Sequence, residues 1–148
     1  MNKPPHAARY FALLIAVPLA IALSGCSVVD EVAHKMKSVS FATAAEVSDE
    51  WKGDAAWLPS DATDIMIRES TVNDTAVILA TSAAALDPEL CSVVPRRSQP
   101  VYELDGAPSA YDATEAYACG QWTVMAAEDG WFGWTPNHPD EATQSPTP

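Results

Sequence analysis

The stretch QWTVMAAEDGWFGWTP, residues 121–136, constrains the fold of this chain more than any other. Two runs rich in aromatic and β-branched residues flank Asp129-Gly130, a dipeptide that favours a tight turn between antiparallel strands, so the stretch is expected to be a β-hairpin. Side chains alternate faces along a strand. Trp122, Val124 and Ala126 therefore share one face of the first strand, while in the second Phe132 and Trp134 point one way and Trp131 the other. Residues 64–68 (DIMIR) and 75–81 (TAVILAT) read as a second antiparallel pair, joined across the turn-prone Thr71-Val72-Asn73-Asp74. Ser82 is positioned to cap a short helix over residues 83–86, which Asp87-Pro88 would stop, and residues 101–104 read as one more strand. Trp57 and Trp122 are expected in the core. Phe132 and Trp134 are expected to close that core as a lid over Trp57, Ile65, Ile67, Ile78 and Trp122, leaving Trp131 the more exposed ring. The fold class is α+β: a small single domain with a mainly antiparallel sheet, one or two short helices and one disulfide.

The N-terminal end obeys different constraints. Lys3 and Arg9 precede an uncharged apolar run over residues 10–23, the build of a secretory signal. A helical membrane span needs roughly twenty apolar residues, so this run is too short, and Pro18 weakens it further. The run ends in Leu23-Ser24-Gly25-Cys26, which resembles the lipobox of bacterial lipoproteins. That resemblance implies that the Cys26 thiol takes a diacylglyceryl group and that the signal is cut just before it. The protein would then be held on the extracytoplasmic face of the cell membrane by its acyl chains. Each buried CH₂ contributes about 0.8 kcal/mol, so two or three chains anchor firmly where one binds only marginally.

Beyond Cys26 only Cys91 and Cys119 remain, an even pair in a chain expected to leave the reducing cytosol. They are expected to form one structural disulfide, worth roughly 3.6 kcal/mol for a loop of about that size in the chain-entropy model. There is no C-x-x-C and no histidine near either cysteine, so a redox or metal site is not expected. From Cys26 onward 20 acidic side chains face 6 Lys and Arg, a total of −14. A nucleic-acid or anionic-lipid binder needs a basic footprint, and Arg96-Arg97 is the only basic doublet, so neither partner is expected. The organisation expected is a signal peptide over 1–25, a lipidated cysteine and flexible tether over 26–50, a globular domain over 51–136, and a disordered tail over 137–148. In the tether Val29, Val32, Ala33 and Met36 fall at helical spacing, and the tail carries three prolines and no large apolar residue.

Within the domain, the block WLPSDATDI over residues 57–65, the Cys91 and Ala118-Cys119-Gly120 pair, and Gly133-Trp134-Thr135-Pro136 resemble small lipoproteins of actinomycetes. That resemblance spans roughly residues 57–140, agrees with a cell-envelope address, and leaves the activity open. No catalytic constellation is legible: His34 and His138 fall in the expected tether and tail, and no H-E-x-x-H, Cys/His cluster or glycine-rich phosphate loop is present. Asp61 and Asp64 lack the spacing of a calcium loop and read as helix-capping residues. No metal, cofactor or catalytic residue is expected. Two function classes remain. The first is a small binding or interaction module that engages an envelope protein or a wall glycan, with Trp131 as the candidate aromatic binding surface. The alternative is a small cell-wall hydrolase, which would need two carboxyl groups about 5 to 9 Å apart across a cleft.

Overall fold

Seven strands form one antiparallel sheet in the computed structural model, which describes residues 35–146. The signal segment and Cys26 lie outside the described residues. In chain order the elements are β1 (Met36–Thr43), α1 (Ala44–Glu50), β2 (Thr63–Ser70), β3 (Ala76–Thr81), β4 (Ser92–Pro95), a 3₁₀ turn (Ala110–Asp112), β5 (Glu115–Cys119), β6 (Trp122–Ala127), β7 (Gly130–Thr135) and α2 (Pro139–Ala142). The strand order is β1-β2-β3-β7-β6-β5-β4. This is the expected α+β domain with a mainly antiparallel sheet, short helices and one disulfide.

Both expected hairpins form. The β2–β3 turn is held by side chains acting as backbone surrogates. Ser70 Oγ accepts from the N–H groups of Val72 and Asn73, and Asn73 Oδ1 accepts from Thr75 N–H. In the β6–β7 hairpin Ala127 pairs with Gly130, so the two turn residues are Glu128 and Asp129, one position earlier than expected. Gly130 is needed for a different reason. A Cβ there would fall 2.2 Å from the carbonyl oxygen of Ala80, so only glycine lets β7 approach β3 this closely.

The sheet is covered on both faces, and this overturns the expected lid. Ile65, Ile67, Ile78, Trp122 and Val124 share one face with Trp57. Phe132 and Trp134 lie on the other, packed with Val77 and Ala110 beneath Tyr102 and Leu104. Their alternation was read correctly, but they close a second core. Trp131, on the first face, packs against the main core and is half-buried. The central strands follow this two-sided burial: Ala76, Val77 and Ile78 are successive buried residues, as are Phe132, Gly133 and Trp134.

Cys91 is bonded to Cys119 as expected. The β4–β5 register pairs Ser92 with Ala118, so the two cysteines face each other one step beyond it and fasten the edge strand to its neighbour.

Other expectations need correction. The domain is wider than 51–136. Residues 36–43, expected to be tether, form β1 and pair with β2 from Met36–Ser70 to Thr43–Thr63, with Val39 and Phe41 packed against the core. The short alternation Val39-Ser40-Phe41 drives this, because it buries two apolar side chains on one face. Thr43 then caps α1, accepting from Glu46 N–H, and α1 buries Ala44 and Val47. Residues 137–146 are ordered as well, through α2 and the buried Glu141. Residues 83–86 are not helical. The Asp61 carboxylate takes the Ser82 hydroxyl and the N–H groups of Ala83 and Ala84, which pins the segment as an irregular loop. Residues 101–104 are not a strand but part of a loop laid over the second face, with Tyr102 and Leu104 turned into it.

Candidate binding groove

One end of the sheet is built from the starts of β1, β3 and β6 and the ends of β2, β5 and β7. The loop after α1 folds across this end, and between them lies a groove of about 990 Å³. That volume is at the upper end of the range for small-molecule sites.

Three tryptophans define its apolar wall. The Trp51 and Trp122 ring centroids are 6.3 Å apart at 64°, an edge-to-face geometry that suits the ring quadrupoles, and those of Trp57 and Trp122 are 5.8 Å apart, tilted at 54°. Trp122 and Trp57 are buried, whereas Trp51 is half-buried at the rim. Trp51 is held at both edges. Its Nε1 donates to Glu69 Oε2 at 3.0 Å, and the ring lies against the bare Cα of Gly53, where a Cβ would fall 2.3 Å from ring carbon Cζ2. Glu69 Oε1 in turn pairs with Lys37 Nζ at 3.0 Å. Trp122 Nε1 donates to the Asp54 carbonyl at 2.7 Å. The Trp57 indole N–H is buried and has no hydrogen-bond partner among the described residues, a state that costs roughly 1–3 kcal/mol.

The opposite wall is polar. Thr71, Asn73 and Thr75 contribute from the β2–β3 turn and Gln121 from the β5–β6 turn, while Val72 stands 64% exposed at the lip. The C-terminal segment completes the enclosure at Pro146. It is tied down by Gly120 N–H donating to Ser145 Oγ at 2.6 Å and by the Ser92 hydroxyl donating to the Gln144 carbonyl.

Glu141 anchors that segment. Its carboxylate is fully buried and accepts from the N–H groups of Arg97 (2.6 Å), Ser98 (3.1 Å) and His138 (2.8 Å), and from the hydroxyls of Thr123 (2.8 Å) and Ser98. Trp134 Nε1 donates to Ser98 Oγ at 2.9 Å, linking the cluster to the second core. Burial pushes the Glu141 carboxyl up, but the Arg97 N–H, the Ser98 hydroxyl, the His138 N–H and the Thr123 hydroxyl together hold it below the ordinary glutamate value. Asp61 is also held low, mainly by the Ser82 hydroxyl against a smaller opposing effect of burial.

The structure separates the residues singled out in the sequence. Trp131 lies at the other end of the sheet, its Nε1 donating to the Ala84 carbonyl at 2.9 Å and its ring edge-on to Tyr117 at 5.6 Å. It is no part of the groove. Neither aspartate caps a helix as expected: Asp61 pins the irregular loop at residues 82–84, and Asp64 adopts a positive φ of 49° at the start of β2. His138 is the N-cap of α2. Among the described residues no cluster of three or more His, Cys, Asp or Glu could hold a metal ion, and no helix is long and apolar enough to cross a membrane. Sequence reasoning missed Trp51, Glu69 and Glu141. The one available signal for Trp51 was the W-x-G segment Trp51-Lys52-Gly53, in which a glycine stands beside a bulky ring. Set against family models, curated proteins and solved structures, the chain matches none of them.

Proposed function

We propose that this chain is a lipid-anchored extracytoplasmic binding module of the cell envelope, and that its ligand occupies the groove walled by Trp51, Trp57 and Trp122. The observation that carries the reading is Trp51: a half-buried ring, braced by Glu69 and Gly53, at the mouth of a groove of about 990 Å³. A fixed aromatic face loses little side-chain entropy when it is covered, which makes it an effective contact for a partner. Of the three groove carboxylates, Glu69 is tied to Lys37 and Trp51 and Asp54 Oδ1 accepts from the N–H of Ala56, which leaves Asp74 without a second free carboxylate to work with. That leaves binding, rather than general acid–base work, as the role these residues suit. The anchor is Cys26, read from its likeness to a lipobox.

Two variants test the proposal. Cys26→Ala should abolish metabolic labelling by a fatty-acid probe and release the protein from membranes. Trp51→Ala should lose crosslinked envelope partners while the protein still melts in one cooperative transition, at a midpoint lowered by the lost contacts with Trp122 and Glu69. Persistent label on the first variant would remove the anchor, and unchanged partner capture by the second would remove the groove.

A further inference from the structure

Resting on that reading, we propose that the groove takes the uncharged sugar headgroup of a glycolipid in the same membrane that holds Cys26. The groove's place in the molecule favours a membrane source. β1 begins at Met36, its second residue Lys37 lines the groove, and only nine residues lead from Cys26 to Lys35. Fully extended, that link reaches at most about 30 Å, so Lys37 and the groove it lines stay within about that distance of the bilayer. Charge favours a neutral ligand. Lys37 and Lys52 face Asp54, Glu69 and Asp74 around the groove, and Lys37 is already paired with Glu69. On a chain this acidic, a phosphate-bearing headgroup would meet repulsion.

The remaining surface has the chemistry of sugar recognition. A pyranose ring carries C–H groups on its faces and hydroxyls around its edge. Trp51 offers a flat apolar face whose own N–H is tied to Glu69, and the neutral donors and acceptors of Thr71, Asn73, Thr75 and Gln121 line the same space. Trp57, which also lines the groove, adds apolar ring surface beside Trp122. Val72, exposed at the lip, is placed to touch the lipid interface.

The test uses the full-length acylated protein in phosphatidylcholine vesicles, either plain, doped with digalactosyl diacylglycerol, doped with phosphatidylglycerol, or bathed in free digalactose. Amide hydrogen exchange is followed over residues 51–57 and 70–76. Exchange there should slow several-fold with the glycolipid alone, lose that slowing in Trp51→Ala, and keep it in Trp131→Ala. Equal slowing with phosphatidylglycerol would overturn the charge argument. Slowing by free digalactose without an effect of the glycolipid would overturn the membrane source. If no vesicle slows exchange while Trp51→Ala still loses its envelope partners, the sugar headgroup is wrong and the groove stands as a binding site. If partner capture also survives Trp51→Ala, both readings fall.

Discussion

Trp131 and Trp134 stand three residues apart on β7, an odd spacing that sends them to opposite faces. Trp134 is 1% exposed and packs against Phe132 with ring centroids 5.8 Å apart, while its Nε1 donates to Ser98. Truncating it removes a fully buried ring and leaves the Ser98 hydroxyl without one of its partners, so Trp134→Ala should cost about 3–5 kcal/mol. Trp131 also packs on the sheet, but from its margin, and its hydrogen bond to the Ala84 carbonyl is solvent-exposed. Trp131→Ala should cost less than half as much. Urea denaturation of the two variants checks this, and a larger midpoint shift for Trp131 would mean that the margin of the main core matters more than the second core. Period-two alternation made the facing of these rings legible. That both faces are covered was not legible, because the second cover is the loop bearing Tyr102, Leu104 and Ala110, and the short alternation at Tyr102 and Leu104 reads as one more strand rather than as a cover.

Among the elements, α2 shows how four helical residues can hold down the C-terminal end. Its N-terminus is a capping box in which His138 Nδ1 accepts from Asp140 N–H and Glu141 reaches back to His138 N–H. Histidine is outside the usual set of N-caps, and the prolines around it read as disorder, so the element was not visible in the sequence. The same Glu141 carries the tertiary contacts, which no local pattern announces. Because its folded value lies below its unfolded one, its contribution is fully present above the unfolded value of about 4.3 and is lost as pH falls through the lowered folded value. Glu141→Gln keeps the shape but puts an amide N–H₂ where one oxygen accepted, so it should cost about 2 kcal/mol near neutral pH. The gap between parent and variant should then narrow as the solution is acidified below pH ~4, since protonation removes the parent's advantage. Thermal melts at a series of pH values measure this, and a gap that widens on acidification would contradict the low value assigned to Glu141.

For the whole molecule, the decisive question is where the folding unit ends. Composition placed its limits at residues 51 and 136, because a run of alanine, serine and threonine on one side and prolines on the other lack the long apolar patterns of core elements. The sheet requires more. Without residues 35–50, β2 loses its partner along its outer edge, and Val39, Phe41, Ala44 and Val47 leave the face that covers Ile65 and Ile67. Burying a large apolar side chain contributes about 1.5–3 kcal/mol, so even partial losses at these positions sum to several kcal/mol. Without residues 137–146, the buried Thr123 hydroxyl loses the Glu141 carboxylate, at about 1–3 kcal/mol, and the part-buried N–H groups of Arg97 and Ser98 lose it too. A domain of this size holds only about 5–15 kcal/mol in total. A chain trimmed to residues 51–136 should therefore lack a cooperative thermal transition even with the Cys91–Cys119 bond formed, whereas one spanning residues 35–146 should melt like the parent. Circular dichroism melts and amide dispersion in proton NMR distinguish the two. Cooperative melting of the 51–136 chain near the parent midpoint would mean that β1 and α2 decorate the core rather than complete it.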